Sequence, residues 1–294
     1  MSRIRSESRT GLPATSLLVA LDGSGFAERA VVPAGRLAVE LGVPLHLWSA
    51  APTLADAEDR QARMRCMADA GGASWEVVVT DRPVEAMTAK EDAAGRPLVC
   101  LATHGRDRTA ALAHSVSAAV VAAADGPVLL VGPEVPAKGP AGRHVAACVD
   151  GSPDSKLIVA AAAAWAAALG LDVTVVTVAE PVPESVRRPG HYPRLHGPDG
   201  DADAYIEELA AAWRGDVAVT GRAVYDPVDV DGALLDAFAA DPPYLVVMGT
   251  RAPHGLRRLI LGSIAAAVAH AAPAPVLVVP FEVPAVPGDR GLWR

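Results

Sequence analysis

The residues best suited to chemistry lie in the stretch 244–280, YLVVMGTRAPHGLRRLILGSIAAAVAHAAPAPVLVVP. The apolar run 244–248 has the length of a buried parallel strand and ends at Gly249. A polar loop carrying Arg251, His254, Arg257 and Arg258 follows. After Gly262 a Ser-led, Ala-rich segment is expected to be a helix with Ser263 at its N-cap. Pro273 and Pro275 stop that helix, and 276–279 makes a second buried strand. First-turn N–H groups lack intrahelical partners and the helix dipole favours negative charge, so a strand, a cationic glycine loop and a helix start together suit an anion, phosphate foremost. The same pattern also suits an ordinary βαβ crossover with a glycine at its turn, and Arg257 and Arg258 equally suit a solvated face.

Other chemistries find little support. The chain has no Walker A lysine, no Gly-x-Gly-x-x-Gly, no His-Glu-x-x-His and no Cys-x-x-Cys. His191 and His196 stand in a Pro/Gly-rich loop without a nearby cysteine, which favours surface histidines over a metal site. Ser24 and Ser152 sit where helices should begin, where capping explains a serine better than nucleophilic attack. No nucleophile with its base emerges, so the chain does not read as an enzyme.

The elements that must position these residues come from a repeat. SLLVALDGSGFAERAVVPAGRLAVELG lies over HVAACVDGSPDSKLIVAAAAAWAAALG at a constant offset of 128, placing Asp22-Gly23-Ser24 on Asp150-Gly151-Ser152 and Gly42 on Gly170. LVCLATHG then matches VVMGTRA at an offset of 147, and Pro127-Val128-Leu129-Leu130-Val131 matches Pro275-Val276-Leu277-Val278-Val279 at 148. The growing offset marks one insertion in the second copy, centred on the loop 180–203. The chain thus reads as a tandem duplication with domains at 12–133 and 143–283, joined by the linker-like GPEVPAKGPAGR. Each copy alternates strands and helices, the first with strands near 16–21, 44–49, 75–80, 97–102 and 127–131. That is an α/β fold with a five-stranded parallel sheet. In such sheets the ligand crevice lies at the carboxyl ends of the strands where the strand order reverses. Asp22, Asp150, the segment 102–105 and the segment 249–252 all fall at such ends.

Composition sets the remaining limits. The chain has 294 residues, 51% of them hydrophobic, enough for a large core. A net charge of −8 with no basic block argues against a nucleic-acid partner. The uncharged run 259–281 is long enough to span a bilayer, but Pro273-Ala274-Pro275 divides it into helix and strand, which reads as core rather than membrane. The N-terminal apolar run is too short for a signal core. Three cysteines, Cys66, Cys100 and Cys148, with no pairing suggested by spacing, fit a reducing cytoplasm and free thiols.

The Asp-Gly-Ser after each first strand, the glycine loop after the fourth, Gly-Ser opening the last helix and the terminal Pro-Val-Leu-Val-Val resemble the universal stress protein family in a tandem-domain form, across nearly the whole chain. The resemblance implies two adenine-nucleotide α-hydrolase-like sandwiches, paired as an internal pseudo-dimer through their final strands. It also implies ATP, with magnesium, at a Gly-x2-Gly-x9-Gly-Ser motif. In the second copy Gly249 matches the first glycine, Ala252 replaces the second, and Gly262 and Ser263 match the end, with Pro253 intervening. An Ala at 252 could resist a φ > 0 conformation that Gly accepts. In the first copy Ala102, His104 and Gly105 are followed by eight residues, His114 takes the later glycine's place, and Ser115 and Ser117 remain. By the same resemblance Asp150 and Asp22 would hydrogen-bond ribose hydroxyls or an exocyclic amine, against the alternative of an Asx turn. Val178 would wall the adenine, and its counterpart Ala50 would be a poorer wall. The expectation is a regulatory stress-response protein holding ATP mainly in its second copy. The alternative is a module with decayed sites acting through a protein partner that the sequence does not identify. A homodimer of tandem chains is compatible with either.

Overall fold

The computed structural model describes residues 13–93, 97–103, 120–121, 123–124, 126–179, 201–226, 228–252 and 261–282. Strands β1 (Leu17–Leu21), β2 (Leu45–Ala51), β3 (Ser74–Val79), β4 (Leu98–Ala102) and β5 (Val128–Val131) make the first half. The second half has β6 (His144–Cys148), β7 (Asp172–Ala179), β8 (Val219–Tyr225), β9 (Leu245–Ala252) and β10 (Val276–Glu282). Helices α1 (Val31–Leu41), α2 (Leu54–Gly71) and α3 (Pro83–Ala93) connect the strands of the first half, with a 3-10 turn at Ala27–Ala30 before α1. In the second half α4 (Ser155–Leu169), α5 (Ala202–Ala211), α6 (Val230–Ala240) and α7 (Ser263–Ala271) do the same.

All ten strands form one sheet in the order β3-β2-β1-β4-β5-β10-β9-β6-β7-β8. Within each half every pairing is parallel. The halves meet where β5 and β10 pair antiparallel, with Leu130 opposite Val276 and Leu129 opposite Leu277. This is the expected pairing through the final strands. Both strands are apolar at consecutive positions, so an unpaired edge there would be an aggregation template, and joining them removes it. Leu17 and Val19 pack on one face of the sheet and Leu18 on the other, and the buried apolar cluster on each face runs through both halves. Gly132 seals the seam: a Cβ there would come within 2.6 Å of the carbonyl oxygens of Ala269 and His270 in α7.

The helix boundaries follow local chemistry. Gly42 and Gly170 close α1 and α4 at φ 65° and 66°, the left-handed conformation expected of a terminal glycine. Thr53, Asp201 and Asp229 cap α2, α5 and α6 through their side chains. Ser24 accepts a hydrogen bond from the Ala27 N–H at 3.1 Å and so starts the 3-10 turn. At Ser152 it is the backbone carbonyl that accepts, from the Ser155 N–H at 3.0 Å. Cys66 is exposed, Cys100 and Cys148 are buried, and all three are free. Among the described residues no helix is long and apolar enough to cross a membrane.

One element differs from its sequence reading. The strand expected to stop at Gly249 continues as β9 to Ala252, because β10 continues beside it past Val279 to Glu282 and extends the parallel ladder, Val279 opposite Gly249 and Glu282 opposite Ala252. Thr250 to Ala252 are therefore extended strand, not loop. A left-handed backbone is not demanded of Ala252, and the conformational objection to Ala at that place falls.

Candidate functional site

In the second half three expected residues come together at one end of the sheet. Cys148 lies opposite Val176 on β7 and Met248 on β9, so Asp150, two residues on, is level with Val178, and Gly249 is level with Val149. These strands are the three neighbours β7-β6-β9, and the strand order reverses between β6 and β9. The sheet thus delivers Asp150, Val178 and Gly249 to the switch point where an α/β crevice forms. Val178 is buried and Asp150 exposed.

The local turn decides how Asp150 is held. Its Oδ1 accepts a hydrogen bond from the Ser152 N–H at 3.0 Å across Gly151, whose φ is 79°. Asp22 does the same with the Ser24 N–H at 2.8 Å across Gly23, φ 86°. Both aspartates are thus Asx-turn residues, as the alternative reading had it, and the turn fixes each carboxylate at the strand end.

The phosphate end of the expected site is the start of α7. Gly262, not Ser263, is the N-cap, with φ −63° and ψ 160°, and no side chain caps the helix. Its carbonyl already accepts from the Ala266 N–H at 2.8 Å. Gly262 and Ser263 are both exposed, and a Cβ on Gly262 would meet no atom within 4 Å. The first-turn N–H groups are therefore approachable by an anion. Gly105, Ser115, His104, His114 and Ser117 of the first half lie outside the described residues, as do His191, His196, Pro253, His254, Arg257 and Arg258. Among the described residues no group of His, Cys, Asp and Glu could hold a metal ion.

The equivalent edge of the first half carries residues that the sequence reading did not single out. A cleft of about 330 Å³ opens there. Its floor includes Trp48, Met87, Leu101 and Val120, all buried. Ala20 and Ala50 line it where the second half has Cys148 and Val178. Ala50, expected to be a poorer wall, is part of what opens the cleft. Asp22, Arg60 and Asp81 also line it. Arg60 Nη1 donates to Ser49 Oγ at 3.1 Å and to the Ala50 carbonyl. Arg63, one turn on, donates to the Gly23 carbonyl at 2.6 Å and pairs with Glu28 at 2.5 Å. Two guanidinium groups of α2 thus clasp the Asp22-Gly23-Ser24 turn. The usable signal was the charge of an otherwise polar helix: Arg60 and Arg63 are three apart, and so share a face.

The frame defines an α/β fold, a largely parallel sheet with alternating strands and helices and a switch in strand order in each half. The family comparison narrows this: residues 142–280 match the model of the universal stress protein family. A universal stress protein from Archaeoglobus fulgidus DSM 4304 has a similar structure, with a TM-score of 0.61 at 18% identity, covering 91% of this chain and 98% of that one. A functionally unknown protein from Pseudomonas aeruginosa PAO1 is similar with a TM-score of 0.55 at 18% identity, covering 91% and 92% of the two chains. Both likenesses extend the fold over the two halves together. No curated protein matches the chain.

Proposed function

We propose that this chain is a stress-response regulatory protein built of two copies of one domain, at 12–133 and 143–283, that binds ATP in the second copy. The observation that carries the reading is the levelling of Asp150, Val178 and Gly249 on three adjacent strands at the switch between β6 and β9. The family match over 142–280 supports it. In this reading Asp150 accepts from ribose hydroxyls or the exocyclic amine, Val178 contacts the adenine, and the N–H groups of the first turn of α7 meet the phosphates beside Gly262 and Ser263. Magnesium would be held by the phosphates and water, as is usual for that ion. The protein works by binding rather than catalysis, in the cytoplasm.

Mass spectrometry of the natively purified chain tests the reading: the expected result is a retained adenine nucleotide. Calorimetry then decides for protein stripped of ligand. Absence of heat with ATP and magnesium would reject the reading in favour of a module acting through protein contacts.

A further inference from the structure

The cleft of the first half plays no part in the nucleotide reading, and its lining differs in kind from that of the second half. At about 330 Å³ it stands at the small end of the roughly 300–1,000 Å³ range of small-molecule sites. Trp48, Met87, Leu101 and Val120, between 1% and 3% exposed, give it a dry floor. Where Trp48 fills volume the second half has Val176, and where Ala20 and Ala50 leave volume it has Cys148 and Val178. The space has therefore moved from the base of the crevice to its rim. That shape accepts a compact apolar body.

Charge at the mouth sets the rest of the ligand. Arg60 is fixed by its Nη1 bonds to Ser49 and Ala50. Its guanidinium lies over Gly23, where a Cβ would come 2.9 Å from Nε. Among the described residues its Nε and Nη2 have no hydrogen-bond partner, leaving donors for a carboxylate. Asp22 and Asp81 line the same cleft from the ends of β1 and β3, on either side of β2, whose Ala50 carbonyl anchors Arg60. Among the described residues Asp81 brings a carboxylate and Arg60 a guanidinium to the mouth, and a ligand with a single charge answers only one of them. A ligand with both signs close together satisfies both.

We propose that the cleft of the first half binds an apolar α-amino acid, its side chain on the floor of Trp48 and Met87, its carboxylate on Arg60 and its ammonium group on the carboxylate of Asp81. The site is separate from the ATP site of the second half, and the two readings fail separately.

The test is ligand-observed NMR titration of the full chain with L-phenylalanine and L-leucine, alongside phenylacetate, which lacks the ammonium group, and phenethylamine, which lacks the carboxylate. One of the amino acids is expected to bind at least tenfold more tightly than phenylacetate and phenethylamine. Arg60→Met should weaken it at least tenfold and Ala50→Leu should close the cleft. Arg65→Met, on the same helix but with its guanidinium over the Trp75 ring and outside the cleft lining, should leave the affinity unchanged and reports whether α2 still folds. ATP at saturation should not displace the amino acid. Failure of both amino acids to bind in the millimolar range, equal binding of phenylacetate, displacement by ATP, or an equal loss from Arg65→Met would each overturn the proposal.

Discussion

At the end of the second strand the first half carries Trp48, Ser49 and Ala50, and the second half carries Val176, Thr177 and Val178. The middle member behaves alike in both: Ser49 Oγ donates to the Leu21 carbonyl at 2.7 Å, and Thr177 Oγ1 donates to the Val149 carbonyl at 2.8 Å. The Asx turns at Asp22 and Asp150 and the left-handed glycines at 42 and 170 are likewise matched. A further pair keeps a role with a changed residue. Thr80 Oγ1 accepts from the Arg82 N–H after β3, while Asp226 accepts from the Val228 and Asp229 N–H groups after β8, which hold its carboxyl below the usual range. The outer members, whose side chains face the crevice, diverge in volume. What sets the turns at the strand ends is thus separable from what a ligand would meet, and two copies of one frame can carry different ligands.

The largest effect that could break this comparison concerns the seam. Residues 12–133 and 143–283 expressed separately should associate with each other or precipitate, because each exposes an apolar edge strand, β5 or β10. Two soluble monomeric halves, measured by light scattering, would show that the frames are independent and that the continuous core is incidental.

Next comes the asymmetry of the two aspartates. Loss of a hydrogen bond to a charged acceptor costs about 1.5–3 kcal/mol, so Asp150→Ala should weaken ATP by roughly 10- to 100-fold in calorimetry. Asp22→Ala should leave ATP affinity unchanged. Equal losses would mean that the halves bind alike. Gly262→Ala sharpens the result, since the added methyl has room in the protein and any weakening of ATP then reports on the ligand itself.

The frame was legible in the sequence because its causes are local. Apolar runs of strand length, serine and aspartate at strand ends and glycine at helix ends each act within a few residues, and the repeat read them twice. The pairing of β5 with β10 was expected from the family resemblance, and two apolar edges that both needed cover are its physical reason. What was not legible depends on contacts between elements. β9 runs on to Ala252 only because β10 runs on beside it, and Gly249 in isolation looks like an end. The cleft depends on a difference of volumes between equivalent positions and on an arginine of α2 reaching back across Gly23. The spacing of Arg60 and Arg63 puts both on one face of α2, but no spacing within a segment tells what that face reaches.

Buried thiols give a third comparison, of like with like. Burial pushes the Cys148 thiol up to about 12 and pushes Cys100 up as well, both from 9.0. The folded protein then keeps protons that the unfolded chain releases above pH 9, so stability is intact below that value and falls as pH rises from 9 towards 12. The slope is about 1.4 kcal/mol per pH unit for each thiol. Denaturant melts across that range should show it, and Cys148→Ala should remove about half of the thiol contribution. A thiol reagent near pH 8, below the ordinary thiol range, should modify Cys66 alone in the folded chain and all three cysteines in denaturant.

The smallest effect is the most discriminating, because it separates the frame from the cleft at a single atom. Thr177→Val removes one buried hydroxyl bond with almost no change of shape and should cost about 0.5–1.5 kcal/mol. Ser49→Ala removes the matching bond to Leu21, but Ser49 Oγ also accepts from Arg60, so the first half should lose that contact too. A double-mutant cycle with Arg60→Met isolates the second contribution, and a coupling of about 0.5 kcal/mol or more between Ser49 and Arg60 is expected. The variants can be compared by chemical denaturation of the full chain. Zero coupling would mean that the hydroxyl serves the turn alone and that Arg60 is held by the Ala50 carbonyl without it, which would leave the guanidinium less firmly placed at the cleft than the frame around it.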